Sequence, residues 1–286
     1  MSADNTIAFQ GEPGANSDMA CRAVYPDMKT LSCYSFADAF AAVREGKARL
    51  AMIPIDNTVA GRVADIHHLL PQSGLHIIGE HYQRIDHHLL ALPGTDIGDL
   101  THVHSHVHAL NQCRGLIDDL RVEPVVHADT AGAAHMIKDL DDPTQGAIAS
   151  KLAAEIYGLK VLRANIEDAE HNTTRFLIMA AQPATPKLDQ TPESGKVVTS
   201  FVFRVKNIPA ALYKALGGFA TNGVNMTKLE SYIVGGSFQA AQFFAEVEGH
   251  PEDPAMARAF EELAFFTHEV TVMGTYPAAP ARDEIG

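Results

Sequence analysis

Strand-length apolar runs alternate with helical patterns through the first part of this chain, and that alternation restricts the fold more than any other feature. The run at 6–10 leads into a Gly-rich turn and a helix over 17–24, and 36–45 is helical. Residues 48–55 read as a buried strand feeding a helix that begins near Val59. Ser105 precedes a helical pattern at 109–120, then come a strand at 122–128 and a helix at 130–138. A strand at 147–150 hands over to a helix at 151–157. Such alternation predicts a mostly parallel sheet with helices on its faces.

The segment 183–196, PATPKLDQTPESGK, has three prolines and neither helical nor strand periodicity, so it reads as a linker. Beyond it the order changes. A strand at 199–205 is followed by a helix opened by Asn207 and Pro209 and running to Phe219. Residues 224–234 and 239–247 form a hairpin around Gly235-Gly236, and Asp253-Pro254 starts a helix ending near Phe266. A last strand covers 269–274. The order βαββαβ is ferredoxin-like, and with no catalytic cluster it reads as a binding or regulatory module.

The 286 residues suit one large or two ordinary domains. A net charge of −13 argues against nucleic acid or an anionic membrane as partner, since both require clustered Lys and Arg. Cys21, Cys33 and Cys113 share no CxxC spacing, so neither a disulfide framework nor a structural zinc site is expected. The opening MSADNTIAFQ has no basic stretch followed by an apolar one, and a cytoplasmic location is expected.

Asn172-Thr173-Thr174-Arg175-Phe176, followed by apolar Leu177-Ile178-Met179-Ala180, carries the densest chemistry. A guanidinium at the mouth of a buried strand needs an anionic partner, because it essentially never loses its charge. A hydroxyl, a fixed cation and an aromatic ring within three residues suit a small carboxylate whose reaction moves or expels an oxygen. A Thr-Arg pair also serves as a plain turn with a surface salt bridge. Four strand-to-helix junctions share small polar residues: Gly11 to Ser17, Asp56 to Gly61, Ser105-His106 and Asp129-Thr130. Helix N-termini there offer backbone N–H groups to an anion, with ordinary N-capping as the competing reading.

These segments resemble the prephenate dehydratase family with a C-terminal ACT regulatory domain. The likeness runs over Met52-Ile53-Pro54-Ile55-Asp56-Asn57-Thr58 with Gly61, Ser105-His106 with Ala109-Leu110 and Cys113, Asp129-Thr130-Ala131, Ala147-Ile148-Ala149-Ser150 and the Thr174-Arg175-Phe176 run. Ala211 to Leu216 and Asn225 to Ser231 match the two signature regions of ACT domains. The resemblance implies a catalytic domain at 1–182, made of two α/β lobes like those of periplasmic binding proteins, the linker 183–196, and an ACT domain at 197–286. It implies conversion of prephenate to phenylpyruvate, water and carbon dioxide, feedback by L-phenylalanine, and a homodimer or homotetramer, with no metal and no organic cofactor. The catalytic residues would be Thr174, Arg175, His106 and Asp56. Asn57, Thr58, Ser105, Thr130, Phe176 and Ser17 would bind substrate. Ala210, Ala211, Leu212, Asn225, Glu230 and Ser231 would hold phenylalanine.

The chain departs from the family at Asp56, where Glu is usual, at Ala15, often Thr, and at Val107-His108, usually Pro-Gln. Ala210 stands for a common Gly, and Tyr232-Ile233 for an Arg-Pro pair. Two further readings keep the fold: arogenate dehydratase, and a two-lobed amino-acid sensor without chemistry. His102, His104, His106 and His108 alternate and would share a face on a strand, which invites a metal, but His106 fills the family's polar position and the chain turns helical by Ala109. His67-His68 and His87-His88 read as solvated or partly packed, Met226, Phe243, Phe244, Phe265 and Phe266 as core, and Tyr82 carries no motif.

Overall fold

A computed structural model gives the fold and describes residues 3–169, 171–188, 197–233 and 241–282. In chain order the elements are β1 (Thr6–Gln10), α1 (Asn16–Val24), β2 (Lys29–Cys33), α2 (Phe36–Arg44), β3 (Leu50–Asn57), β4 (Gly61–Arg62), α3 (Ala64–Leu69), β5 (His76–Arg84) and β6 (His88–Ala91). They continue with β7 (His102–His106), α4 (Val107–Asn111), α5 (Arg114–Leu120), β8 (Glu123–His127), α6 (Thr130–Leu140), β9 (Gln145–Ala149), α7 (Lys151–Tyr157), β10 (Lys160–Arg163) and β11 (Thr173–Ala180). The last are β12 (Val197–Val205), α8 (Ala211–Thr221), β13 (Met226–Ile233), β14 (Ala241–Glu248), α9 (Pro254–Phe266) and β15 (Thr267–Pro277). Among the described residues no helix is long and apolar enough to cross a membrane.

The chain divides into two compact units, Met1–Val63 with His81–Phe176, and Ala64–Glu80 with Leu177–Gly286. Strands β5 and β11 each begin in one unit and end in the other. One sheet has the order β2-β1-β3-β11-β5, with β4 beside β3, and β1 runs parallel to β2 and β3. The other has the order β10-β6-β9-β7-β8. There β7 is parallel to β8 and β9, while β6 is antiparallel to β9 and β10. The expected mostly parallel sheet is therefore two mixed sheets.

Local chemistry sets the junctions. Ser35 and Asp38 cap α2 reciprocally, Asp129 accepts from Gly132 N at 2.6 Å to start α6, and Ser150 accepts from Ala153 N at 3.0 Å to start α7. The turn after β1 is fastened to α7, because Ser150 donates to Gly14 O at 2.5 Å and Tyr157 donates to Pro13 O at 2.9 Å. Gly14 has φ +90°, and a Cβ there would lie 2.7 Å from Ala153 Cα, so a side chain is excluded on both counts.

Two expectations fail here for local reasons. The helix placed near Val59 begins instead at Ala64, because Asn57 Oδ1 accepts from both Val59 N and Ala60 N and holds a turn that ends at Gly61 with φ +79°. The helix expected over 109–120 is two helices, α4 and α5, broken at Gln112-Cys113.

In the second unit β12 to β15 form an antiparallel sheet of order β13-β14-β12-β15. Phe201, Phe203, Phe243, Ala245 and Val247 pack against Ala215 and Phe219 of α8 and Met256 and Leu263 of α9. On the alternate positions, Phe244 and Tyr232 meet the ring of His67 at 5.5 and 6.3 Å, so the segment Ala64–Glu80 covers residues of that sheet. His67 is thus buried rather than solvated. Phe265, expected in the core, is exposed. Residues 189–196 of the expected linker, the Gly235-Gly236 turn and the stretch 237–240 lie outside the described residues.

Candidate active site

The end of β3 and the start of β11 bring Asp56, Asn57, Thr58 and the Asn172 to Phe176 run together. Thr58 N donates to Thr173 O at 2.9 Å, Thr58 Oγ1 donates to His171 O at 2.6 Å, and Thr173 N returns a bond to Thr58 Oγ1 at 2.9 Å. Thr58 is therefore a staple between the two strands. Its hydroxyl is committed to backbone, which removes it from the expected substrate contacts.

Asn57 is the centre of the arrangement. Its Nδ2 donates to Thr174 Oγ1 at 2.9 Å and to Asn172 Oδ1 at 2.8 Å. Asn172 is almost fully buried and donates in turn to Gln112 Oε1 at 2.9 Å, which also meets His87 Nε2 at 2.8 Å. Since Gln112 Oε1 can only accept, Nε2 of His87 carries the proton. Burial pushes the His87 pKa down, against a smaller upward pull from Gln112, so the ring is neutral at pH 7. The chain His87–Gln112–Asn172–Asn57 thus ends by giving a hydrogen to Thr174 Oγ1. With that lone pair engaged, the threonine's own hydrogen is aimed elsewhere.

Arg175 is buried to 7% exposure. Its Nη1 lies 3.7 Å from Asp56 Oδ2, and its guanidinium stands 5.9 Å from the centre of the Tyr82 ring. Asp56 is thereby a counter-ion of the arginine, which gives it a different task from the proton supply expected of it.

Two of the four strand-to-helix junctions carry a side-chain cap, His106 on α4 and Asp129 on α6, while α1 has none and the 56–61 junction is a turn held by Asn57. Gly14 N donates to Asp18 Oδ2 at 2.9 Å, Val59 and Ala60 donate to Asn57, Gly132 N donates to Asp129, and His108 N donates to His106 Nδ1 at 3.3 Å. The capping reading holds at Ser105-His106 and Asp129-Thr130, and the other two junctions spend these N–H groups on Asp18 and on the Asn57 turn. Thr130 opens α6 half-buried, and Ser17 lies buried in the first turn of α1.

Several expected roles change for physical reasons. Ser105 is fully buried and donates to Ile148 O at 2.6 Å, which ties β7 to β9 and commits its hydrogen to backbone. Phe176 is 1% exposed and belongs to the core, so it is not a wall beneath a substrate ring. His106 caps α4, and burial and then neighbouring His108 push its pKa down, which leaves the ring mostly without the proton it would have to give at neutral pH. His102 faces Glu123 at 3.6 Å and His104 bonds Gln145 at 2.7 Å, so the alternating histidines are used separately. In sequence Asn172 reads only as the start of the 172–176 run, His87 as solvated or partly packed and Tyr82 as without a motif, while Gln112 is not singled out, and no local pattern marks it.

A cavity of about 880 Å³ lies at the ends of β1, β2 and β8, lined among others by Glu12, Cys33, Tyr34, His127, Asp129 and His135. Its lining holds neither Lys nor Arg and does not include Thr174 or Arg175.

In the second unit, Ala210 caps α8 with φ +56°, Ala211 and Leu212 follow it into the core, and Asn225 Nδ2 donates to Glu248 Oε2 at 2.8 Å just before β13. Glu230 lies 3.6 Å from Lys228 Nζ, and Ser231 is exposed on β13 opposite Phe243.

Buried Arg175 and the Thr174 hydroxyl thus stand in succession at the start of β11. Residues 7–184 match the family described as prephenate dehydratase. A bifunctional N-acyl-homoserine lactone acylase/prephenate dehydratase of Komagataeibacter europaeus is 52% identical over 282 residues, 99% of each chain. Arogenate dehydratase/prephenate dehydratase 1, chloroplastic, of Arabidopsis thaliana is 35% identical over 285 residues, 95% of this chain and 71% of that protein. The structure of prephenate dehydratase from Arthrobacter aurescens in complex with L-Phe aligns with TM-score 0.86 at 30% identity, over 96% of this chain and 94% of that one. The chain belongs to the prephenate dehydratase family.

Proposed function

We propose that the chain converts prephenate to phenylpyruvate with loss of carbon dioxide and water. The observation that carries this is the bond from Asn57 to Thr174 Oγ1 beside buried Arg175. In the reaction the ring carboxylate leaves as CO₂, its C–C electron pair aromatises the ring, and the C–O bond opposite breaks. The departing hydroxide takes up one proton, so one proton is consumed per turnover. The ring carboxylate must lose its charge in the transition state, and a guanidinium gripping it would hold the reaction back. Arg175 therefore holds the pyruvyl carboxylate, which stays charged throughout, and Thr174 donates to the departing oxygen. Ultraviolet detection of phenylpyruvate tests the activity. Thr174→Ala is expected to cost about 10²–10⁴ in kcat with little change in KM, and Arg175→Lys to raise KM by loss of the forked contact. Near-normal kcat in Thr174→Ala removes that residue from the mechanism. Comparing kcat/KM for prephenate and arogenate decides between the two substrates.

The catalytic part is read as 1–182, two α/β lobes of periplasmic-binding-protein type, and 197–286 as an ACT domain that binds L-phenylalanine near Ala210, Ala211, Leu212, Asn225, Glu230 and Ser231. Support comes from its βαββαβ order and from the L-Phe complex of the Arthrobacter relative. Exposed Leu229 and Ile233 on edge strand β13 favour a homo-oligomer through this domain. The free thiols of Cys21, Cys33 and Cys113 favour a reducing, cytoplasmic location. Saturating phenylalanine should lower turnover and raise the melting temperature, and no effect on either removes the regulation.

A second activity is favoured by the 52% identity to the bifunctional acylase/dehydratase and by the cavity on Glu12, Asp129 and His127. Acidic lining would repel a dianion but not a neutral acylated lactone, and the lining includes apolar Met136 and Leu140 for an acyl chain. Water would add to the amide carbonyl and the C–N bond would break, giving a fatty acid and homoserine lactone. Release of homoserine lactone that persists in Thr174→Ala supports two separate sites. No release at any substrate concentration removes the reading.

A further inference from the structure

Strand β5 begins in the second unit and ends in the first, with Glu80 near its middle and Tyr82 two residues on. The Glu80 side chain is 0% exposed and is held from three directions in its own unit. Arg282 Nε and Nη2 make a forked pair to it at 2.9 and 2.7 Å, and Ala279 N donates at 2.9 Å. The same Nη2 reaches Glu246 Oε2 of β14, also 0% exposed, at 3.1 Å, and Nη1 reaches Thr227 Oγ1 of β13 at 3.3 Å. Ser200 and Tyr276 hydroxyls complete Glu246 Oε1 at 3.3 and 3.4 Å. Nearby, a Cβ on Gly274 of β15 would lie 2.0 Å from Ile77 O, so the start of β5 lies against bare backbone. Arg282 therefore ties the C-terminal segment, two strands of the antiparallel sheet and the first half of β5 into one charged cluster.

The other half of β5 carries Tyr82, whose ring faces the guanidinium of Arg175. A strand is stiff over two residues, a span of about 7 Å, so displacement at Glu80 is passed to Tyr82. We infer that Arg282 and Glu80 are positioning residues for Arg175: their forked ion pair sets where the Tyr82 ring holds the guanidinium. The inference rests on reading Arg175 as the carboxylate clamp.

The test is steady-state kinetics on full-length Arg282→Gln, Arg282→Lys, Tyr82→Leu and the Arg282→Gln/Tyr82→Leu double variant, each checked for cooperative melting. Arg282→Gln is expected to raise KM for prephenate about tenfold with kcat within about twofold, Lys to restore part of the loss, and the Gln change to add little in the Tyr82→Leu background. Independent multiplication of the two KM effects refutes the inference, as does a loss confined to kcat. If Arg282→Gln does not fold, Glu80→Gln and Arg282→Lys carry the same comparison. A normal KM in Arg175→Lys strikes the clamp reading instead, whereas a raised KM there beside a normal KM in Arg282→Gln strikes only this inference.

Discussion

Replacing Asn57 by Asp changes one nitrogen to oxygen and tests the orientation of Thr174 without altering shape. Oδ1 keeps its two backbone donors, Val59 N and Ala60 N at 2.9 and 2.7 Å. The other atom, formerly a donor to Thr174 Oγ1 at 2.9 Å and Asn172 Oδ1 at 2.8 Å, becomes an acceptor facing two acceptors. Asn172 cannot turn its amide round without giving up Gln112 at 2.9 Å. Thr174 relieves its side by rotating its hydroxyl toward the new carboxylate, which commits the hydrogen meant for the departing oxygen. The loss is that of a positioned donor, about 10²–10⁴ in kcat, or about 2.7–5.4 kcal/mol at 1.36 kcal/mol per decade. The added charge also raises KM for a dianion, so the diagnostic is turnover at saturating prephenate by the phenylpyruvate assay. Asn57→Asp should match Thr174→Ala in kcat, and the double variant should be no worse than either, because the two act as a unit. Turnover of Asn57→Asp within about threefold of the parent, or a double variant with multiplied losses, would refute the argument.

Ala210 adopts φ +56°, a conformation costing an L-residue about 1–2 kcal/mol. Glycine removes that cost but adds about 0.4–1 kcal/mol of unfolded-chain entropy. Ala210→Gly should therefore stabilise by about 0.5–1 kcal/mol, read as a higher urea midpoint, and an unchanged or lower midpoint contradicts the strain. Burial lowers the pKa of His87, His88 and His106, so the unfolded chain takes protons that the fold refuses. Stability is then full above the free histidine value of about 6.5 and is lost as pH falls below it. Urea midpoints at falling pH should show this slope, and His87→Gln should flatten it.

The backbone of this fold was legible wherever local chemistry decides. Asp253-Pro254 caps α9 as expected, with Asp253 Oδ1 accepting from Ala255 N at 2.8 Å, and α7 spans Lys151–Tyr157 as read. Local rules failed where a side chain competed with the backbone, as Asn57 does by holding Val59 and Ala60 out of a helix. They also could not assign Ala64–Glu80, which the sequence places among the catalytic elements and the fold buries with the C-terminal sheet. His67 shows why: its packing partners, Tyr232 and Phe244, lie far along the chain.

The site divides along the same line. Thr174, Arg175, Asp56 and Asn57 could be read because each sits at a strand end, where charge and hydroxyl stand out against apolar surroundings. Their tasks could not, because a task is set by which atom points at which. Asp56 reads as an acid until Arg175 is found 3.7 Å away, and Ser105 reads as a substrate contact until its hydroxyl is found on Ile148. Asn172 and Gln112 are polar residues without pattern, yet both amides are spent on one line of hydrogen bonds that ends at Thr174. What a single hydroxyl oxygen accepts is therefore written in four residues, His87, Gln112, Asn172 and Asn57, drawn from four separated stretches of chain. Composition and periodicity are blind to such a line, because each of its links joins residues that no local period relates.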